Sequence, residues 1–563
     1  MDNLPEDRED RIAYFSMEVG LDKRIPTYCG GLGILAGDTL KSCADLKVPV
    51  VGVTLLNEKG FFYQRLDEGG NQMEHEVEWN PPDYMTCLEN KVTVPVGGKQ
   101  VSVRAWLYNI VGVTGYKVPV LFLDTNLAEN DVGERQITWY LYGGDEGNKL
   151  KQEIVLGIGG VRMLNELGFG VRKYHMNEGH SSLLVLELLN QNIKGNQNKL
   201  DSHVVDKVRD KCVFTTHTPI PAGHDKFPYS LVEYLLGDYM SLELIKKYGG
   251  GECLNMTLLG FNLSEYINGV AKKHGEISRS MFPGYAINSI TNGVHPPTWI
   301  TESFQRLYDK HIADWRRDPF LFRYGVGIPD GQIWAAHMES KRDLIDYINR
   351  QYNRGLVYKT LTVGFARRMT EYKRPTLIFD DIGRLKEIVE KSGGIQLVFA
   401  GKAHPQDHRG KELIKEIVSY VDGLGDDVKL VYIENYNMGI AKKLVGGVDL
   451  WLNTPQKPRE ASGTSGMKAV LNGVLNFSVL DGWWIEGHIE GITGWSIGGL
   501  EAGKDSHRRC VEDLYCKLAQ IMDLFYKDRE SWINMMKNSI SLNASFFNSQ
   551  RMVQQYMTNA YWD

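Results

Sequence analysis

The sequence predicts an α/β protein of two doubly wound domains, and three observations carry that expectation. At 563 residues the chain is too long for one ordinary core, so two large domains are expected. From about Thr360 onward, apolar runs at 361–366, 395–400, 428–433, 448–452 and 475–479 alternate with helical segments near 375–391, 409–422, 437–446 and 466–472. That is the βα rhythm of a parallel sheet. In the first half, three apolar runs end in polar residues: 174–176 leads into Asn177-Glu178-Gly179-His180, 212–214 into Thr215-Thr216-His217-Thr218, and 287–290 into Thr291-Asn292-Gly293-Val294-His295. Polar groups at the carboxyl ends of such strands line a ligand crevice.

Taken in order, 12–17 reads as a strand with Glu18 at its end, followed by the glycine-rich turn Gly30-Gly31-Leu32-Gly33 opening a helix, then a strand at 48–55. Strand, glycine turn and helix make a backbone anion cradle, although such a turn also serves close packing. Alternating Val101, Val103, Ala105 and Leu107 mark 57–125 as a β-rich insertion. A long helix is expected from about Lys149 to Leu167, with its glycines permitting helix packing. The expected domains are 1–295 and 296–540, with a C-terminal helix at 541–563 packing back on the first domain.

Composition excludes several classes. The chain carries 64 basic and 70 acidic residues, a net charge of −6, so no polyanion-binding surface and no nucleic-acid partner are expected. Seven cysteines without CxxC spacing argue against a disulfide framework and a zinc site, and fit a reducing cytoplasm. The first residues, MDNLPEDREDR, are acidic where a signal peptide is basic then apolar, and no run reaches membrane-spanning length. A cytoplasmic protein without membrane attachment is expected.

Chemistry concentrates in two loops. In Glu460-Ala461-Ser462-Gly463-Thr464-Ser465-Gly466-Met467-Lys468, small hydroxyl and glycine residues form a tight loop, with Ser462 or Thr464 placed to cap a short helix. Lys468 sits in apolar company, either as a stem snorkelling to water or as an amine desolvated for covalent work such as a Schiff base. The loop is not a P-loop, because Met467 separates Gly466 from the lysine and no Ser or Thr follows it. In Arg367-Arg368-Met369-Thr370-Glu371-Tyr372-Lys373-Arg374-Pro375, four cations gather before a helix, where dipole and side chains reinforce one another for phosphate.

Together, EASGTSGMK followed by LNG, EYKRP with paired arginines before it, ITNGVHP, GGLG after Ser16-Met17-Glu18, and IENYN before VDLWLNTP resemble the α-glucan (glycogen, starch, maltodextrin) phosphorylase family, in its short bacterial or archaeal form. The matches run in the family's order from residue 12 to about 485. The resemblance implies a GT-B-type fold, two Rossmann-like doubly wound domains facing a deep cleft, and pyridoxal 5'-phosphate as cofactor. It implies transfer of an α-1,4-linked glucosyl residue from a glucan or maltooligosaccharide to inorganic phosphate, giving α-glucose 1-phosphate with retention. The family uses the cofactor's phosphate in acid/base work.

Residue by residue, the resemblance assigns Lys468 to the covalent anchor, Thr464 and Ser465 to the cofactor-phosphate loop, and Arg368 and Lys373 to the substrate and cofactor phosphates. Gly30 and Gly31 fall at the backbone turn that meets phosphate, and His217, Asn292, Tyr436, Glu460, Ser462 and Gly463 around the glucosyl hydroxyls. Arg368, Lys373, His217 and Lys468 are the expected catalytic set; no metal is expected. Glu18, Asn177, Glu178 and His180 are expected along the cleft wall. The segment Leu141–Asp145 stands where the family has a longer gating loop, and the family tends to form homodimers. The competing expectation is a GT-B glycosyltransferase using a nucleotide-sugar donor, which would have no use for a lysine at 468.

Overall fold

The computed structural model describes residues 4–5, 7–195, 200–421, 423–499 and 506–562. It divides into two compact units, one of residues 1–62, 76–290 and 552–563, the other of 63–75 and 291–551. The division differs from the expected domains in three places. The first boundary falls after Ile290, the tail of the first unit begins at Met552, and 63–75 leaves the β-rich insertion for the second unit.

Strands are numbered along the chain. The first unit contains β1 (Arg11–Phe15) and β2 (Val50–Leu55), and the hairpin of β3 (Tyr63–Leu66) and β4 (Gln72–His75) follows in the second unit. Next come β5 (Thr86–Val96), β6 (Lys99–Val111), β7 (Lys117–Asp124), β8 (Val171–Asn177) and β9 (Cys212–Thr215). A short antiparallel pair, β10 (Lys226–Phe227) and β11 (Leu254–Asn255), precedes β12 (Tyr266–Gly269) and β13 (Ile287–Ser289).

The sheet of the first unit runs β13-β12-β9-β8-β1-β2-β7-β6-β5. From β13 to β7 every pairing is parallel, and β6 and β5 add an antiparallel edge. Because β1 lies between β2 and β8, the winding reverses there, and the β1/β8 boundary is a topological switch point. Both β1 and β2 are buried along their whole length, as strands covered on two faces must be. The expected long helix is helical from Glu146 to Glu166, with one π turn at Val155–Gly159. There Gly157 and Gly160 admit Leu183 and Phe15 at distances that a Cβ would obstruct.

The second unit holds β14 (Leu361–Ala366), β15 (Ile395–Ala400), β16 (Val428–Ile433), β17 (Leu450–Asn453), β18 (Leu475–Val479) and β19 (Gly494–Ile497). All pair in parallel, in the order β16-β15-β14-β17-β18-β19. This is the dinucleotide-fold order 3-2-1-4-5-6, with its switch point between β14 and β17. The hairpin of β3 and β4 belongs here through two buried glutamines. Gln64 donates to the Gly401 carbonyl at 2.8 Å, and Gln72 donates to the Ala403 carbonyl at 3.0 Å and accepts from its N–H at 2.9 Å.

Behind this sheet a buried charge cluster fixes the base of β17. Asp449 accepts from Lys341 at 2.5 Å, from the Thr362 N–H at 2.7 Å, and lies 2.8 Å from His337 Nε2. In the first unit, the tail supplies Tyr561, whose hydroxyl meets His175 Nδ1 at 2.6 Å, and Tyr556, 3.0 Å from Thr215 Oγ1. Burial drives His175 down to about 3, so this histidine of β8 is a neutral core residue. No described helix is long and apolar enough to cross a membrane.

Candidate functional site

The switch point of the second sheet gathers the strongest charges. As β14 ends, Arg367 turns to donate to Asn453 Oδ1 at the end of β17 and to Glu460 Oε2, each at 2.7 Å. Lys373 donates to the same Glu460 oxygen at 2.7 Å. The three side chains are nearly buried, at 11% and 9% for the two cations and 9% for the carboxylate. Burial alone would push Glu460 up, but Arg367 and Lys373 outweigh it and hold the carboxyl at about 2.

Two neighbours set the loop's shape. Gly463 has φ +74°, and a Cβ there would lie 3.2 Å from the Glu460 carboxyl carbon, so glycine leaves room for the carboxylate. Asp481, beyond the end of β18, accepts from the Glu460 N–H at 2.9 Å and the Gly482 N–H at 3.0 Å. Burial raises Asp481 to about 6, with the nearby Glu460 charge adding to it and those N–H donors opposing.

The loop then enters the helix Ser465–Val470. Thr464 occupies its N-cap position without a side-chain cap, so the expected capping role is not the one it plays. Ser465 Oγ accepts from Trp451 Nε1 at 3.1 Å, tying the loop to β17. Lys468 is buried, and its ammonium lies 3.9 Å from the centre of the Trp299 ring. Ser462 Oγ, Asn292 Oδ1 and Arg367 Nε are buried without a hydrogen-bond partner among the described residues. Tyr436 is half-buried and packs against the core behind β14 and β15.

The switch point of the first sheet gathers a second group. Asn177, ending β8, reaches Ser16 Oγ at 3.1 Å and lies 2.6 Å from His217 Nε2. Glu178 has φ +74° and accepts from the His217 N–H at 2.7 Å and from Thr218 Oγ1 at 3.0 Å. Burial pushes Glu178 up to about 7 against those donors, and burial lowers His217 to about 3, leaving its imidazole neutral. His180 lies 3.3 Å from Asp225, yet burial takes it down to about 4.

The glycine turn closes on the side chain of Glu18. Glu18 accepts from the Cys29 N–H at 2.6 Å and the Gly30 N–H at 3.2 Å, and Tyr142 OH donates to it at 3.2 Å. A Cβ on Gly30 or Gly31 would meet nothing within 4 Å, so the outer side of the turn is open. Tyr142, in the short segment 141–145, adopts φ +55° in making this contact.

The structure thus joins Lys373 with Glu460, and His217 with Asn177 and Glu178. The arginine that reaches Glu460 is Arg367, whereas Arg368 is exposed. Asn453, Asp481 and Trp299 were not among the expected site residues. The first two follow apolar strands, so the strand-end rule applied to 448–453 and 475–481 finds them; Trp299 carries no such local signal.

Two sheets of this order, with cations gathered at the switch point of the second, define a GT-B-type α/β protein. Residues 239–492 match the family model described as carbohydrate phosphorylase. The chain is 38% identical to the maltodextrin phosphorylase of Thermococcus litoralis, over 98% of this chain and 70% of that protein. It is 35% identical to the glycogen phosphorylase of Aquifex aeolicus, over 98% of this chain and 86% of that protein, and 34% identical to that of Mycobacterium bovis, over 98% and 70%. The chain belongs to the carbohydrate phosphorylase family.

Proposed function

We propose that this protein is an α-1,4-glucan phosphorylase, releasing α-glucose 1-phosphate from the non-reducing end of a glucan or maltooligosaccharide with inorganic phosphate. The observation that carries the reading is the buried Arg367–Glu460–Lys373 cluster, whose carboxylate stands on the loop that continues to Lys468. Buried cations held in place by a carboxylate suit a site where phosphate charge must be stabilised without reorganisation.

The residues present fit pyridoxal 5'-phosphate. A buried primary amine at Lys468 suits an aldehyde, and the start of the helix at Ser465, the Thr464 hydroxyl and the nearby cations suit a phosphate. When bound, the cofactor supplies a phosphate able to exchange a proton with the substrate phosphate. Lys468 tethers it, while Lys373, Arg368 and the Gly31 N–H hold phosphate oxygens. His217, Asn292, Tyr436, Glu460, Ser462 and Gly463 bind the glucosyl hydroxyls; the unpartnered Ser462 Oγ and Asn292 Oδ1 are groups that await such a ligand. Neutral His217 suits a hydroxyl better than a charged group. A homodimer, which rests on the resemblance, and a cytoplasmic location, which rests on the scattered free cysteines, belong to the same proposal.

The test is incubation with maltooligosaccharides of defined length and phosphate, with and without added cofactor, assaying glucose 1-phosphate. Product is expected, and Lys373→Ala should abolish it while largely sparing cofactor attachment at Lys468. No product under any condition, or activity that requires a nucleotide sugar, overturns the reading.

A further inference from the structure

Around Lys468 the second unit contains a device that the phosphate and sugar roles do not use. The amine does not simply end among aliphatic groups; it lies 3.9 Å above the face of Trp299, itself 1% exposed. A desolvated ammonium over an indole is among the stronger cation–π arrangements. The two residues come from distant parts of the chain, the indole from the short helix Pro296–Trp299 and the lysine from Ser465–Val470.

Their alignment is fixed by one fully buried side chain. Asn472 donates through Nδ2 to the Trp299 carbonyl and to the Lys468 carbonyl, each at 3.1 Å, and accepts through Oδ1 from the Thr301 N–H at 2.8 Å. One amide therefore clamps the backbones of both partners. Beside it, Tyr308 OH donates to the Leu471 carbonyl at 2.8 Å, holding the residue before Asn472 as well. A four-carbon lysine stem left to itself samples many rotamers, and fixing it costs entropy. Here the ring face and the clamp offset that cost.

We propose that Trp299 and Asn472 are positioning residues for the Lys468 amine, with the indole face holding the nitrogen where a cofactor aldehyde must meet it. The proposal rests on the cofactor reading above. It requires the π face of residue 299, not merely its volume.

The test compares Trp299→Phe with Trp299→Met in the full chain. Apoprotein is titrated with pyridoxal 5'-phosphate, following the bound cofactor's absorbance, its retention on dialysis, and its borohydride-fixed attachment to Lys468 by peptide mass. Trp299→Phe should stay within about threefold of wild type in half-saturation. Trp299→Met, which lacks a ring, should weaken it about tenfold, and Asn472→Ala should weaken it with Trp299 intact. Equal losses in the Phe and Met variants, at matched thermal midpoints, overturn the proposal and leave Trp299 as packing alone. No cofactor uptake by the wild type at all overturns the cofactor reading instead.

Should the Trp299 variants fail to fold, 5-fluorotryptophan labelling of otherwise native apoprotein decides. Lys468→Met should move one of the resonances from the 12 tryptophans, and an unchanged spectrum overturns the contact.

Discussion

Replacing Glu460 by Gln removes the anion between Arg367 and Lys373 while keeping the side chain's size. The two cations are 11% and 9% exposed, so they would be left as buried like charges without their partner. Two routes give the magnitude. A Glu carboxyl drawn from its ordinary 4.5 to about 2 represents roughly 3 kcal/mol of native-state preference for the charged form. Breaking a buried ion pair by removing one member costs about 3–5 kcal/mol. The variant should thus lose about 3 kcal/mol at pH 7.

The sign follows from the depressed native value. Glu460 contributes its full stability above the unfolded-state value near 4.5 and loses it as pH falls toward about 2. Between pH 7 and pH 3.5 the gap between wild type and Glu460→Gln should narrow from about 3 to about 2 kcal/mol. Urea unfolding followed by circular dichroism at both values measures it. A gap under about 1 kcal/mol at pH 7, or one that widens in acid, refutes the assignment of Glu460 as the charged keystone of this cluster.

Glu178, lifted to about 7 by burial, gains its charge as pH rises through neutrality, whereas His217, near 3, does not titrate there. The stability of the wild type relative to Glu178→Gln in urea unfolding should therefore fall by about 3 kcal/mol between pH 4.5 and pH 8, and a difference that does not change with pH refutes the assignment. Asp449→Asn strips the buried Lys341 ammonium of its counter-charge, and should cost about 3–5 kcal/mol in urea unfolding; a shift below about 1 kcal/mol would show that the cluster relaxes freely.

The sequence made legible whatever is local. Apolar runs that stop at a polar residue marked Glu178 and His217 at carboxyl strand ends, and the hydroxyl-glycine loop marked 460–468. Strand order was not legible, because it depends on pairings between segments far apart, and that order is what brings Asn453 beside Arg367. Adjacent Arg367 and Arg368 look alike in sequence; which one turns to Glu460 is set by the phase of β14 as it ends. His175 lies inside the run 174–176 rather than at its polar end, and it is buried under Tyr556 and Tyr561. Nothing local in the sequence marks Gln64 and Gln72; their long-range partners tie them to the second unit.

Those partners, and the tyrosines of the tail, bear on how the protein is made. Neither unit is a continuous stretch of chain: the path passes from one to the other after residues 62, 75, 290 and 551. The first unit's layer over His175 is completed by Tyr556 and Tyr561, so during synthesis its sheet is finished long before that face can be covered. A ribosome that stalls after the second sheet leaves His175 and Thr215 bonded to each other but without the tyrosines that cover them, and cutting the gene at 290 would yield a fragment with the same open flank.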